Sequence, residues 1–239
     1  FLYLMENKKI GIIIASLSIL FHFSYMFPVG LLLGFILLPK QESWFFVLFL
    51  VTFFVSEIDI QVFSNKLTSI LPGVFHKRIE GYTSESYLES SMTNEATRNW
   101  RYLFYRQAIK WSSTLLLSVI FVNGLSWLKE QKNLKNLFCV ALLMMASVNL
   151  FSHIPIMIRF YPITYLFVFA FLYIYLQQAP EFRLKKLALY LTFPFLVFYC
   201  LGQVNISLMT IGMITLIGNP LVALLTNSDF DTAIIELLR

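Results

Sequence analysis

Phe151-Ser-His-Ile-Pro-Ile-Met-Ile-Arg-Phe-Tyr161 decides how this chain is read. It sets His153, the helix-disfavouring Pro155 and Arg159 between two long apolar runs whose interiors carry almost no charge. Such groups are costly inside a bilayer, where intramembrane ionisable residues are functional by default. The stretch is therefore a connection, and the runs on either side of it are candidate membrane spans.

Composition supports that solvent. Hydrophobic residues make up 58% of the 239 and charged residues 13%, whereas a soluble domain carries roughly 25% charged residues; mean hydropathy is +0.73. Continuous apolar blocks, without the alternation of barrel strands, favour helices. The expected fold class is all-α: a polytopic transmembrane helical bundle of about eight spans, forming a single integral membrane domain over 1–239 with one long external loop at 57–110. Residues 1–5 look like the tail of an earlier apolar segment, so the chain reads as a fragment whose upstream helices are missing. Cys139 and Cys200 both fall in apolar runs and suggest no disulfide framework.

Residues 10–38 form an apolar run too long for one upright span of about 20 residues and short for two. His22, Ser24 and Tyr25 precede Pro28, and proline is best placed in a first helical turn. The spacing predicts two short helices meeting near residues 22–27; a single tilted, kinked helix is the alternative. Further spans are expected at 44–56, with Trp44 as an interfacial anchor, and at 111–127, 137–152, 163–176, 187–201 and 206–225. Gly202, Gln203 and Asn205 would supply a turn before the last.

The 57–110 loop holds six acids against seven bases, which argues against a polybasic lipid-binding tail. Val62, Leu67, Ile70, Leu71, Val74 and Phe75 recur at helical spacing, as in a helix lying on the membrane surface. A second short amphipathic helix is expected over 94–110, where Arg98, Arg101, Tyr105 and Arg106 share a face.

With eight spans, Lys8 and Lys9, Lys40, Lys129, Lys132 and Lys135, and Arg183, Lys185 and Lys186 all fall on one side. The positive-inside rule makes that side cytoplasmic. The long loop and the His153–Arg159 segment then share the external face.

No phosphate-binding loop, dinucleotide fingerprint, HExxH, CxxC or GxSxG motif occurs. His22, His76 and His153 lack local metal-site spacing, and no metal, cofactor or nucleic-acid partner is expected.

The run Ile13-Ile-Ala-Ser-Leu-Ser-Ile-Leu-Phe-His22-Phe-Ser24-Tyr-Met-Phe-Pro28 resembles the signature of the EpsG family of Wzy-like polysaccharide polymerases. Lys77-Arg78-Ile79-Glu80-Gly81-Tyr82 is similar to that family's basic-then-tyrosine stretch. Ile154-Pro-Ile-Met-Ile-Arg159-Phe160 and Gly218-Asn219-Pro220-Leu221 resemble its later segments. Each motif is short; their order relative to the spans carries the likeness.

The resemblance implies a bacterial inner-membrane glycosyltransferase. Such enzymes join undecaprenyl-diphosphate-linked oligosaccharide repeat units into an exopolysaccharide, capsule or O-antigen chain on the external side. Its partners would be the lipid-linked glycan, the lipid bilayer, and a chain-length regulator and flippase of the same pathway. The leaving diphosphate needs fixed positive charge, which the arginine fork supplies. Arg159 is the first candidate, with Arg78, Arg98, Arg101 and Arg106 in support. A general base could be His22, His153, Glu57, Asp59 or Glu80; spacing does not choose among them. The catalytic candidates carried forward are Arg159, His22 and Glu80, and the substrate-binding candidates are Arg78, Tyr82, Arg98, Arg101, Arg106 and His153.

Each candidate has a structural alternative. His22 and His153 can cap or brace helices, Arg159 can snorkel to headgroups, the loop arginines can form a solvated face, and Tyr82 can be interfacial packing. A transporter or flippase subunit for a lipid-linked or anionic solute would use broken helices and a central arginine equally well. A non-enzymatic membrane scaffold is the third reading.

Overall fold

The computed structural model describes residues 2–6, 8–21, 25–54, 100–151 and 160–210. Among them every regular element is a helix: α1 (Leu2–Glu6), α2 (Ile10–Phe21), α3 (Met26–Leu37), α4 (Glu42–Phe54), α5 (Trp100–Glu130), α6 (Lys132–Leu150), α7 (Tyr161–Gln178) and α8 (Arg183–Thr210). Among the described residues three stretches are long and apolar enough to cross a membrane by length and composition: Gln107–Glu130, Lys132–Leu150 and Arg183–Asn205. The shorter apolar helices α2, α3 and α4 have 12, 12 and 13 residues. At 1.5 Å per residue each is about 18–20 Å long, against a hydrocarbon core of about 30 Å.

The chain divides into two compact units, one comprising Phe1–Thr97 with Ile120–Glu181, the other Arg98–Val119 with Phe182–Arg239.

The first unit is built around α6. Every residue from Leu137 to Asn149 is buried, the pattern of a helix apolar all round and enclosed on all sides. α4 and α7 are its principal neighbours, and α1 and α3 also pack on it. Aromatic rings make several of the joints: Phe46 stacks on Phe121 at 3.8 Å, Phe138 meets Phe171 at 4.9 Å and Trp127 meets Tyr175 edge-on at 5.5 Å. Tyr175 is fully buried, and its ring lies where a Cβ on Gly124 would have to go. Only glycine lets α5 and α7 approach this closely. α2 buries nothing and exposes Ile10, Ile13, Ile14, Leu17, Leu20 and Phe21, as expected of a helix facing lipid.

The predicted break in the 10–38 run is present: α2 ends at Phe21 and α3 begins at Met26, with Pro28 in its first turn. The run also reverses direction. Asn133 Nδ2 donates to the Met5 carbonyl at 2.6 Å beside the start of α6. Phe27 packs on Phe151 at the other end of α6, and Glu42 is back beside Lys129 at 3.4 Å. The chain therefore goes out along α2 and returns along α3, and the single kinked helix is ruled out.

Two expectations need correction. Residues 100–110 are not a separate surface helix but the first turns of α5, which runs unbroken for 31 residues, because no proline or glycine interrupts it before Gly124. Likewise Gly202, Gln203 and Asn205 do not form a turn; α8 continues through them to Thr210. Gln203 Nε2 donates to the Tyr199 hydroxyl at 3.1 Å, one helical turn back, so the amide finds a partner without leaving the helix.

In the second unit α8 carries Pro194 in its interior. Proline removes the i to i−4 bond that the Tyr190 carbonyl would otherwise accept, a loss that membrane helices tolerate. Thr192 Oγ1 donates to the Ala188 carbonyl at 2.8 Å. Phe104 of α5 packs on Phe198 at 5.2 Å and lies near Phe195 at 6.3 Å. Leu187, Tyr190, Leu191, Phe193, Leu201 and Val204 are exposed, an apolar outer surface suited to lipid.

Candidate functional site

The two chain breaks emphasised by the sequence meet at one aromatic residue. Phe27, in the first turn of α3, packs on Phe160 with centroids 4.8 Å apart and on Phe151 at 6.1 Å in an edge-on contact. Phe151 closes α6 and Phe160 precedes α7. Thus the α2–α3 junction, where His22 occurs, and both ends of the 152–159 link, where His153 and Arg159 occur, are held at the same end of the first unit.

The opposite end gathers basic connections. Lys129 pairs with the largely buried Glu42, Lys40 lies 5.5 Å over the Phe35 ring, and Asn133 binds the Met5 carbonyl. Lys8 pairs with Glu6 on the same α1–α2 link. Three of the four short basic connections identified in the sequence thereby meet at the N-terminal end of α6.

Between these ends lies a cavity of about 210 Å³. Gly11, Ala15 and Ser18 of α2, Pro28, Val29, Leu31 and Leu32 of α3, Val140, Leu143 and Met144 of α6 and Ile163 and Phe167 of α7 line it, with Tyr3 and Tyr25. The lining is apolar apart from three hydroxyls. That of Ser18 is turned back on its own helix, donating to the Ala15 carbonyl at 2.6 Å. The chamber suits hydrocarbon better than a sugar or a free ion.

Buried polar atoms add one feature. Asn149, 3% exposed near the end of α6, has a side-chain Nδ2 with no hydrogen-bond partner among the described residues. Its neighbour Ser147 is satisfied, donating to the Leu143 carbonyl at 2.8 Å. In the sequence Asn149 is marked as a lone amide late in the apolar run 137–150.

His22, Arg78, Glu80, Tyr82, Arg98, His153 and Arg159 lie outside the described residues, as do Glu57, Asp59, the amphipathic stretch 62–75 and the 218–221 motif. Arg101 and Arg106 fall in the opening turns of α5. No group of three His, Cys, Asp or Glu side chains able to hold a metal occurs among the described residues. Cys139 is buried and Cys200 exposed, neither in a disulfide.

No family model, no curated protein and no solved structure matches this chain. The functional reading therefore rests on the residues and their geometry.

Proposed function

We propose that this chain is a membrane glycosyltransferase that polymerises undecaprenyl-diphosphate-linked repeat units on the external face of the bacterial inner membrane. The observation that carries the reading is the convergence on Phe27 of the α2–α3 junction and the two ends of the 152–159 link. These are the segments in which His22, His153 and Arg159 occur. Polymer transfer from a lipid diphosphate needs fixed cationic donors for the leaving group and a base for the acceptor hydroxyl within one locus. The contacts of Phe27 with Phe151 and Phe160, the residues that flank these segments, support that reading.

The gathering of Lys40, Lys129 and the Lys8 link at the far end supports an orientation with that end cytoplasmic. The 57–99 segment, with Arg78, Glu80, Tyr82 and Arg98, and the first turns of α5, with Arg101 and Arg106, then belong to the external side. In this topology α2 and α3 count as two short crossings within about eight.

The apolar cavity beside the broken α2–α3 pair favours a second reading, a carrier for a lipid-linked solute, because carriers place binding sites at discontinuous helices. Incubation of the purified full-length protein with its lipid-linked repeat unit separates the two. Laddered products establish the polymerase, whereas unreacted substrate together with movement of that substrate across proteoliposome membranes establishes the carrier.

A further inference from the structure

We propose that the apolar cavity beside α2 holds one acyl chain of an anionic phospholipid whose headgroup sits against Lys9 and Lys132. The proposal goes beyond the polymerase reading and does not depend on it. α2 buries none of its residues, and its principal neighbours are α1 and α3, the elements that adjoin it in sequence. Into the bundle it presents Gly11, Ala15 and Ser18, short side chains at four- and three-residue steps along one face. Together with Val140, Leu143 and Met144 of α6 they line a cavity of about 210 Å³. α2 therefore stands beside the bundle across an apolar slot, while Ile13, Ile14, Leu17 and Leu20 are exposed to the surroundings.

Two independent features choose the occupant. The first is shape and chemistry. The lining runs from Tyr3 and Gly11, on either side of the α1–α2 link, to Tyr25 and Pro28, where α3 starts, so the slot follows α2 over its length of about 18 Å. Ser18, whose hydroxyl is spent on the Ala15 carbonyl, asks for no polar partner. An unfilled slot forfeits dispersion contacts along both walls, and a hydrocarbon chain lying parallel to the helices restores them. The second feature is charge. The Gly11 N–H donates to the Lys8 carbonyl at 2.9 Å, and Asn133 holds the Met5 carbonyl, so the Gly11 end of the slot lies beside Lys8, Lys9 and the start of α6, which carries Lys132. Glu6 pairs with Lys8, whereas Lys9 and Lys132 are exposed. Exposed lysines at a membrane surface attract anionic headgroups, and here they stand at the mouth of a chain-shaped cavity.

The test counts lipids retained by the purified protein in native mass spectra and follows its thermal unfolding in detergent. Phosphatidylglycerol, phosphatidylcholine or geranylgeranyl diphosphate is added to wild type, to Ala15→Leu and to the double variant Lys9→Gln/Lys132→Gln. Wild type should retain one phosphatidylglycerol in preference to phosphatidylcholine and melt at a higher temperature with it. Ala15→Leu puts a larger apolar side chain into the slot and should weaken phosphatidylglycerol by about tenfold or more, while the lipid-free variant melts at or above the wild-type temperature because the void is filled. Lys9→Gln/Lys132→Gln should weaken phosphatidylglycerol roughly twenty-five-fold, about fivefold for each cationic contact, and leave phosphatidylcholine unchanged. Both lysines are exposed, so this variant keeps the headgroup test open even where Ala15→Leu fails to fold. Equal retention of the two phospholipids by wild type, or unchanged phosphatidylglycerol affinity in either variant, would overturn the site. A lipid-free melting temperature of Ala15→Leu well below wild type would mean that Ala15 has no space beside it, with the same consequence. Displacement of phosphatidylglycerol by an equal concentration of geranylgeranyl diphosphate would assign the slot to an isoprenoid chain and overturn the phospholipid. Laddered product from protein that retains no phospholipid sinks the lipid site alone; retained phosphatidylglycerol without laddered product sinks the polymerase reading alone.

Discussion

Phe27 and Phe160 pack with ring centroids 4.8 Å apart and planes inclined at 44°, although 133 positions of sequence separate them. Through this pair the start of α3 is held against the residue that precedes α7. Aromatic contacts of this kind are worth about 0.5–1.5 kcal/mol beyond area burial. A double-mutant cycle of Phe27→Ala and Phe160→Ala, read by thermal unfolding in detergent, should give a coupling of about that size. Coupling near zero would mean that the two breaks are held together by something else.

Arg159→Ala should abolish polymer formation while leaving membrane insertion and yield unchanged. Arg159→Lys should retain only part of the activity, because a point charge replaces a bidentate fork. Polymer of normal length from Arg159→Ala would remove the diphosphate-clamp role.

Gly124→Ala should destabilise the first unit by about 1–3 kcal/mol, the usual cost of overpacking, since the added methyl meets the Tyr175 ring. The atom met first is the phenol oxygen, so Tyr175→Phe should recover part of that loss in the double variant. Differential scanning fluorimetry of the four proteins checks this, and simple additivity would contradict the close approach.

The Glu42–Lys129 pair should contribute less than about 1 kcal/mol, because the lysine is 55% exposed and exposed partners are screened. A double-mutant cycle with Glu42→Gln and Lys129→Met should show a coupling that shrinks as salt rises. A salt-independent coupling of several kcal/mol would place the pair in a far drier setting.

A Ser90→Cys variant in a background lacking Cys139 and Cys200 should react with an impermeant maleimide from outside the cell membrane. Labelling only after the cytoplasmic side is exposed would invert the proposed orientation.

Apolar run lengths and near-absence of charge were enough to specify the helices of the described residues, some able to cross a bilayer by length and composition, because burial in lipid depends on composition summed over about 20 residues. Pro28 after His22 likewise marked the start of α3, since proline's fixed φ and missing N–H suit only a first turn. Glycine and amide residues misled at 202–205: whether Gln203 ends a helix or stays in it depends on the Tyr199 hydroxyl one turn away, a choice composition leaves open. Helix continuity through residues 100–110 follows from the lack of a breaker before Gly124, although the arginines there also fit a separate surface helix.

What the sequence by itself determined is therefore the class of fold, the places where the chain turns polar, and the residue types available at each. Tertiary structure alone decided which of those places are neighbours. Phe27, Phe151 and Phe160 carry no mark in sequence that pairs them, and nothing local reveals that the Asn149 donor lacks a partner among the described residues or that Gly124 makes room for Tyr175. Contacts between distant segments depend on helix direction and register, and these are fixed only when α6 is enclosed by its neighbours.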